Sequence, residues 1–185
     1  MIIPKQNNIV GYWKGNLNQN GTLQDYSGYG NHGTITGADQ IDTPFGSTLD
    51  FISGNSDKVE LGDIGNIKTV SLLVKSDSTT EYFIDLNGTA NIDVLTGTIR
   101  ANNFTSPLFF INGDYDATPT LFANNWIHIA IATGTIIDAN AVVLGLIGAN
   151  YGDCTMAHII LWDIQLNPNE VLQLYQAMMR LPDRR

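Results

Sequence analysis

Apolar residues in this chain fall in short runs with a period of two, and they reach the helical spacing of three and four in only one place. Such alternation marks half-buried strands. Residues 9–14 read as the first strand, with Tyr12 alternating against Val10 and Trp13 against Gly11, and the last strand is expected beside it. Residues 15–32 form a long polar loop rich in Asn and Gly, and a short strand resumes over 33–37. Further strands are predicted over 47–52, 58–61 and 69–75, parted by Ser53-Gly54-Asn55-Ser56 and by Gly62-Asp63-Ile64-Gly65-Asn66, both turn signals. In the third of these, Val70, Leu72 and Val74 share the face expected to meet the core, while Thr69, Ser71 and Leu73 share the other.

Short runs follow over 82–86, 91–95, 98–101 and 108–111, broken at Asn87-Gly88, Gly97 and Asn112-Gly113. Asn-Gly between apolar runs favours a two-residue hairpin, because both residues tolerate the left-handed backbone such a turn needs. Residues 126–132 and 141–148 read as long central strands, with Trp126 expected in the buried core, and 158–163 as a strand near the end. The helical exception spans 167–179. Asn167 at the N-cap, Pro168 at the first helical position and Glu170 three residues on make a capping box, and Val171, Leu174, Tyr175 and Met178 form one apolar stripe. Leu181-Pro182 ends it.

Composition sharpens this to an all-β reading. A chain of 185 residues with 43% apolar content suits one two-sheet domain, here 1–185, with an N-terminal arm at 1–8 and a basic tail at 180–185. The glutamates are Glu60, Glu81 and Glu170, too few for long solvated helices. A net charge of −9 excludes a broad phosphate-binding face, so nucleic acid is not an expected partner. Arg180, Arg184 and Arg185 at the C-terminus read as a solvated end. Cys154 is the sole cysteine, which rules out an internal disulfide and suits a small buried filler. Residues 1–8 lack a basic stretch leading into an apolar one, and no window approaches the ~18 apolar residues of a membrane span. The expectation is therefore no signal peptide, no transmembrane segment and no membrane partner.

Asp25-Tyr26-Ser27-Gly28-Tyr29-Gly30-Asn31-His32-Gly33-Thr34 signals a tight crossover into a strand, and Asn124-Asn125-Trp126-Ile127-His128-Ile129-Ala130 a turn that launches a buried one. With Leu49-Asp50-Phe51, residues 57–61 and 69–75, Ile147-Gly148-Ala149-Asn150 and residues 166–171, in that order, they resemble the laminin-G-like, concanavalin A-like lectin/glucanase family over nearly the whole chain. The resemblance implies a two-sheet antiparallel jelly-roll sandwich with one short C-terminal helix. It also implies a hydrogen-bonded structural role for His128, and a structural calcium in many relatives, for which Asp25 and Asn31 are the candidates here. Those two residues equally suit a glycine-rich turn, with Asp25 accepting backbone N–H bonds, so no metal ligand and no cofactor is expected. The chain departs from the family between Thr133 and Ala141, where the hairpin after the Trp-x-His strand is cut short.

A glycosidase of this fold would need carboxylates grouped on one strand. The nearest approach is Glu81 and Asp85, expected on one face about 13 Å apart at ~3.3 Å per residue, so no enzyme is expected. His32, His128 and His158 lack a metal-ligand spacing. Tyr26, Tyr29, Tyr115 and Tyr151 lie in predicted loops beside Asn or Asp, the residue types that stack on a sugar ring and bond its hydroxyls. The function these features support is a non-enzymatic virion surface protein, a capsid decoration or a tail or fibre accessory, made in the host cytoplasm and localised to the virion. Its partners would be other virion proteins, host-surface glycans and copies of itself; the alternative is a free-standing carbohydrate-binding module or lectin. Attachment is expected through Ile2, Ile3 and Pro4, an apolar extended segment suited to adding along a partner strand.

Overall fold

A computed structural model describes residues 2–180. In chain order the strands are β1 (Ile9–Leu17), β2 (Leu23–Asp25), β3 (Thr34–Thr36), β4 (Asp39–Thr43), β5 (Gly46–Phe51) and β6 (Lys58–Gly62). They continue with β7 (Gly65–Ser76), β8 (Glu81–Asp85), β9 (Asn91–Leu95), β10 (Thr98–Asn102), β11 (Leu108–Ile111) and β12 (Asp114–Tyr115). The last are β13 (Trp126–Ala139), β14 (Val142–Leu144), β15 (Leu146–Ile147), β16 (Asn150–Tyr151) and β17 (Cys154–Trp162), before helix α1 (Pro168–Met179). The larger sheet has the order β12-β11-β13-β7-β17-β1-β2, with β5 and then β4 added beside β17; the smaller has the order β10-β9-β8-β14-β6-β3. All pairings are antiparallel, and the two sheets face each other as a jelly-roll sandwich.

The core between the sheets takes one alternate set from each strand. Val70, Leu72 and Val74 of β7 meet Phe83, Ile84, Ile92, Val94 and Ile99 of the smaller sheet, and all are at most 2% exposed. Trp13 lies in this core, and its indole donates to the Asn31 carbonyl at 2.7 Å, so no polar hydrogen is stranded. Cys154 is packed there too, and burial pushes its thiol well up.

A second apolar cluster covers the outer face of the larger sheet. Tyr12, Ile160, Ser71, Ala130 and Phe110 form one rank across five strands, and α1 docks Val171, Leu174 and Met178 onto this face. The helix starts as expected, with Asn167 accepting from Glu170 N–H and Glu170 accepting from Asn167 N–H. Trp162 is fully buried here, and Nε1 donates to the Pro4 carbonyl at 3.2 Å. Two histidines are sealed on the same face. His128 Nε2 meets Ser71 Oγ at 2.9 Å while its ring stacks on Tyr175, and His158 bridges the Tyr12 hydroxyl and the Phe45 carbonyl. Burial lowers His128 to about 3 and His158 to about 4, so both are neutral near pH 7.

Several expectations are corrected by this packing. The N-terminal segment is not a free arm: Ile3 is buried in the second cluster, Pro4 accepts from Trp162 and Lys5 pairs with Glu170 at 3.3 Å, while Ile2 is outward at 85% exposed. Trp126 is half-buried at the start of β13, edge-on to Phe45, while the core tryptophans are Trp13 and Trp162. The expected loop 15–32 contains the end of β1 and all of β2, turned through Asn18, whose side chain accepts from Asn20 and Thr22 N–H. The expected strand 141–148 is broken at Gly145, where φ is +74° and a Cβ would lie 2.4 Å from the Phe51 ring. β4 has an almost wholly exposed, polar sequence and carries no alternation to announce it. Of the basic tail, Arg180 closes the helix and Arg184 and Arg185 lie outside the described residues.

Candidate functional site

Among the described residues no helix lies against the outer face of the smaller sheet, and its strands alternate accordingly. On β9, Ile92 and Val94 point into the core, which sends Asn91, Asp93 and Leu95 outward; on β10, Ile99 inward sends Arg100 and Asn102 outward. Cross-strand pairing then fixes two ranks. Asn102, Asn91, Asp85, Val143, Glu60 and Thr34 form one, and Arg100, Asp93 and Tyr82 form the next. Both hairpins that set this register carry left-handed glycines, Gly88 at φ +82° and Gly97 at φ +85°.

The polar groups of these ranks hold one another in place. Arg100 grips both oxygens of Asp93 through Nε, at 2.8 Å, and Nη2, a bidentate pair that fixes the guanidinium plane. Asn102 donates to Asn91 at 2.7 Å, and Lys58 pairs with Glu60 at 2.9 Å. Asp85 accepts from the N–H groups of Asn87 and Gly88. Tyr82, Asn91, Arg100 and Asn102 remain half-exposed, so one ring, two amides and a guanidinium edge are open together on one rigid surface.

The carboxylates on this face are engaged by donors rather than paired with one another: Asp93 by Arg100, Asp85 by turn N–H groups and Glu60 by Lys58. Glu81 is the carboxyl that burial pushes upward, and it is on the other side of β8. A bulge between Tyr82 and Ile84 puts Glu81 opposite inward-facing Val94 but Asp85 opposite outward-facing Asn91, so the expected common face of Glu81 and Asp85 does not exist. Glu81 instead accepts from Ser78 Oγ and Asp153 N–H, each at 2.7 Å. Asp25 is used as a turn anchor, taking Tyr12 N–H, Ser27 N–H and Oγ, and Asn31 N–H on its two oxygens. Among the described residues, no group of three His, Cys, Asp or Glu is placed to hold a metal ion. No helix of the described residues is long and apolar enough to cross a membrane.

The four loop tyrosines are not brought to one place. Tyr26 and Tyr29, 44% and 66% exposed, follow β2 at one edge of the larger sheet, whereas Tyr115 is in β12 at the other edge. Those edges are six strand spacings apart, about 29 Å at ~4.8 Å each. Tyr151 belongs to the β15–β16 hairpin, whose Gly152 touches the Tyr82 carbonyl, so it borders the smaller sheet's open face. Tyr82, Asn91, Asp93, Arg100 and Asn102 were missed from sequence. Their signal was the polar half of each alternating strand, which periodicity assigns to solvent without saying that two strands align it.

No family model matches the chain, and no curated protein matches it. Solved structures do, over nearly its full length. A Trypanosoma rangeli sialidase is similar at a TM-score of 0.66 and 12% identity, covering 94% of this chain and 33% of that one. The chain thus spans about a third of the sialidase's length. Domain 4 of a GH43 extracellular arabinanase from Geobacillus stearothermophilus, in complex with arabinotriose, is similar at a TM-score of 0.57 and 17% identity, covering 91% of this chain and 98% of that domain. The binding domain of botulinum neurotoxin serotype D is similar at 0.58 and 13%, covering 95% of this chain and 53% of that one. At these identities the likeness is one of fold, an antiparallel jelly-roll β-sandwich.

Proposed function

We propose that the chain is one non-enzymatic glycan-binding module whose ligand face is the outer surface of the smaller sheet. The observation that carries this is the pair of adjacent open ranks bearing Tyr82 and Arg100 and Asn91 and Asn102, with Arg100 held by Asp93, Asn102 bonded to Asn91, and no helix over them among the described residues. A ring for the apolar face of a sugar, beside amides and a guanidinium for its hydroxyls, is the chemistry such recognition uses. The absence of a catalytic role rests on the carboxylates, whose oxygens are committed to Arg100 and to turn N–H groups. Screening the protein on an array of oligosaccharides should give binding that Tyr82→Ala and Asn91→Ala abolish, with no reducing ends released from any bound glycan. Retained binding in both variants would remove the smaller sheet from the reading.

The setting proposed for this module is the surface of a virion, as a capsid decoration or a tail or fibre accessory. Support comes from the single buried thiol, since a fold that needs no disulfide can form in a reducing cytoplasm, and from the acidic charge, which disfavours a place beside packaged nucleic acid. Mass spectrometry of purified particles from the producing cells should find the chain in stoichiometric amount. A second reading, a free-standing carbohydrate-binding module, is favoured by the similarity to the arabinanase domain, which matches over 98% of its own length and was solved with arabinotriose. Secretion of the chain without particles would select it.

A further inference from the structure

Lys14 is the lysine of the described residues that lies over aromatic rings. Acidic residues outnumber basic ones by 18 to 9, yet Lys14, like Lys68 and Lys75, has no carboxylate partner within 4.0 Å among the described residues, and it differs from those two in packing against two aromatic rings. It is nevertheless half-buried, and desolvation lowers its pKa. The nearest acid by chain position, Asp25, is turned away: it pairs with Trp13, whose side chain points into the core, while Lys14 projects from the opposite face of β1. Its oxygens are also filled by four donors, Tyr12 N–H of β1 and three from its own loop.

What Lys14 does have is aromatic. Nζ lies 4.2 Å from the centre of the Tyr26 ring and 5.4 Å from that of Tyr12, whose centroids are 6.0 Å apart. Cation–π contact holds the ammonium in place without neutralising it, so the charge remains available to an anion. Tyr12 forms the buried floor, Tyr26 is partly open, and Tyr29 stands out at the loop tip. Around Gly28 and Gly30, which flank Tyr29, a Cβ would meet nothing within 4 Å, so the backbone on either side of Tyr29 stands in open space.

We propose that Lys14, Tyr26 and Tyr29 form a second subsite, for the carboxylate or sulfate of an acidic sugar, with the ammonium taking the charge and Tyr29 stacking on the ring. The subsite is at the β2 edge of the larger sheet and is separate from the smaller-sheet face, although its assignment to a sugar rests on the glycan-binding reading.

The test is an NMR titration of the intact, isotope-labelled protein with glucuronic acid, galactose 6-sulfate, neutral galactose and inorganic sulfate. Both acidic sugars should shift Lys14, Tyr26 and Tyr29 resonances, neutral galactose should bind at least tenfold more weakly, and the affinity should fall as salt is raised. Lys14→Gln should lose that binding tenfold or more while keeping its thermal midpoint; Lys14→Arg should keep both. Unchanged binding in Lys14→Gln, or equal binding of neutral galactose, would overturn the subsite, and inorganic sulfate binding as tightly as the sugars would overturn its assignment to a sugar. Tyr82→Ala should leave this titration unaltered, and loss of binding there but not in Lys14→Gln would overturn the subsite and leave the smaller-sheet reading standing.

Discussion

The outer faces of the two sheets are built on opposite rules. In the larger sheet, all nine residues of β17 are buried, and β7 and β13 carry Ser71, Leu73, His128 and Ala130 on the outward side beneath covering elements. In the smaller sheet, β9 and β10 alternate apolar-in and polar-out. The difference has a cause in the covering: the segment around Ile3 and helix α1 convert one outer face into a second core, and among the described residues nothing comparable covers the other. A sheet buried on both sides gives up alternation, whereas one half-solvated keeps it. The uncovered face therefore keeps its polar residues at the surface.

Breaking the covered face should cost most. Trp162→Ala removes a fully buried ring and its bond to Pro4, and should destabilise by about 3–5 kcal/mol in urea unfolding. Trp126→Ala, at a half-buried strand start, should cost about 1–2 kcal/mol. Equal losses for the two would erase the distinction between the second core and the rim.

Acid should act next, and on the same face. His128 and His158 titrate at about 3 and about 4 when folded but near the ordinary ~6.5 when unfolded, so between those values the unfolded chain binds more protons. Stability should fall as pH drops from about 6.5 towards 4, by up to about 1.4 kcal/mol per pH unit for each histidine. Unfolding midpoints measured across that range should flatten in His158→Asn relative to the parent; an unchanged slope would mean that the ring is already accessible to protons. A smaller effect is expected at the helix start, where Asn167→Ala should cost about 1 kcal/mol by leaving Glu170 N–H without its acceptor. Addition of a chelator should move the thermal midpoint least of all, because Asp25 spends its oxygens on four protein donors.

How much the sequence discloses follows from the same contrast. The capping box at Asn167, the core face of Val70, Leu72 and Val74, and the hairpin at Asn112-Gly113 were legible because each is a local pattern with a local cause. Strand breaks were not. Gly145 interrupts an apolar run because of Phe51, some ninety residues away, and His158 takes φ +47° where β17 shifts register against β7 between Ala157 and Ile160, a long-range pairing. The candidate site was hidden for a related reason: Asn91, Asp93 and Arg100 look like ordinary outward positions until the pairing of β9 with β10 and β8 sets them beside Tyr82. The bulge beside Tyr82 likewise parts Glu81 from Asp85, which strict alternation would keep together.

The claim that most needs testing is that ligand is met by the smaller sheet's outer face. Backbone amide shifts of the labelled protein, followed while a bound oligosaccharide from the array is titrated in, map the contact directly. The expected result is a contiguous set of shifts over Tyr82, Asn91, Asp93, Arg100 and Asn102 that vanishes in Tyr82→Ala, with the unfolding midpoint of that variant within about 0.5 kcal/mol of the parent. Shifts confined to the larger sheet, or a Tyr82→Ala variant that binds unchanged, would contradict it.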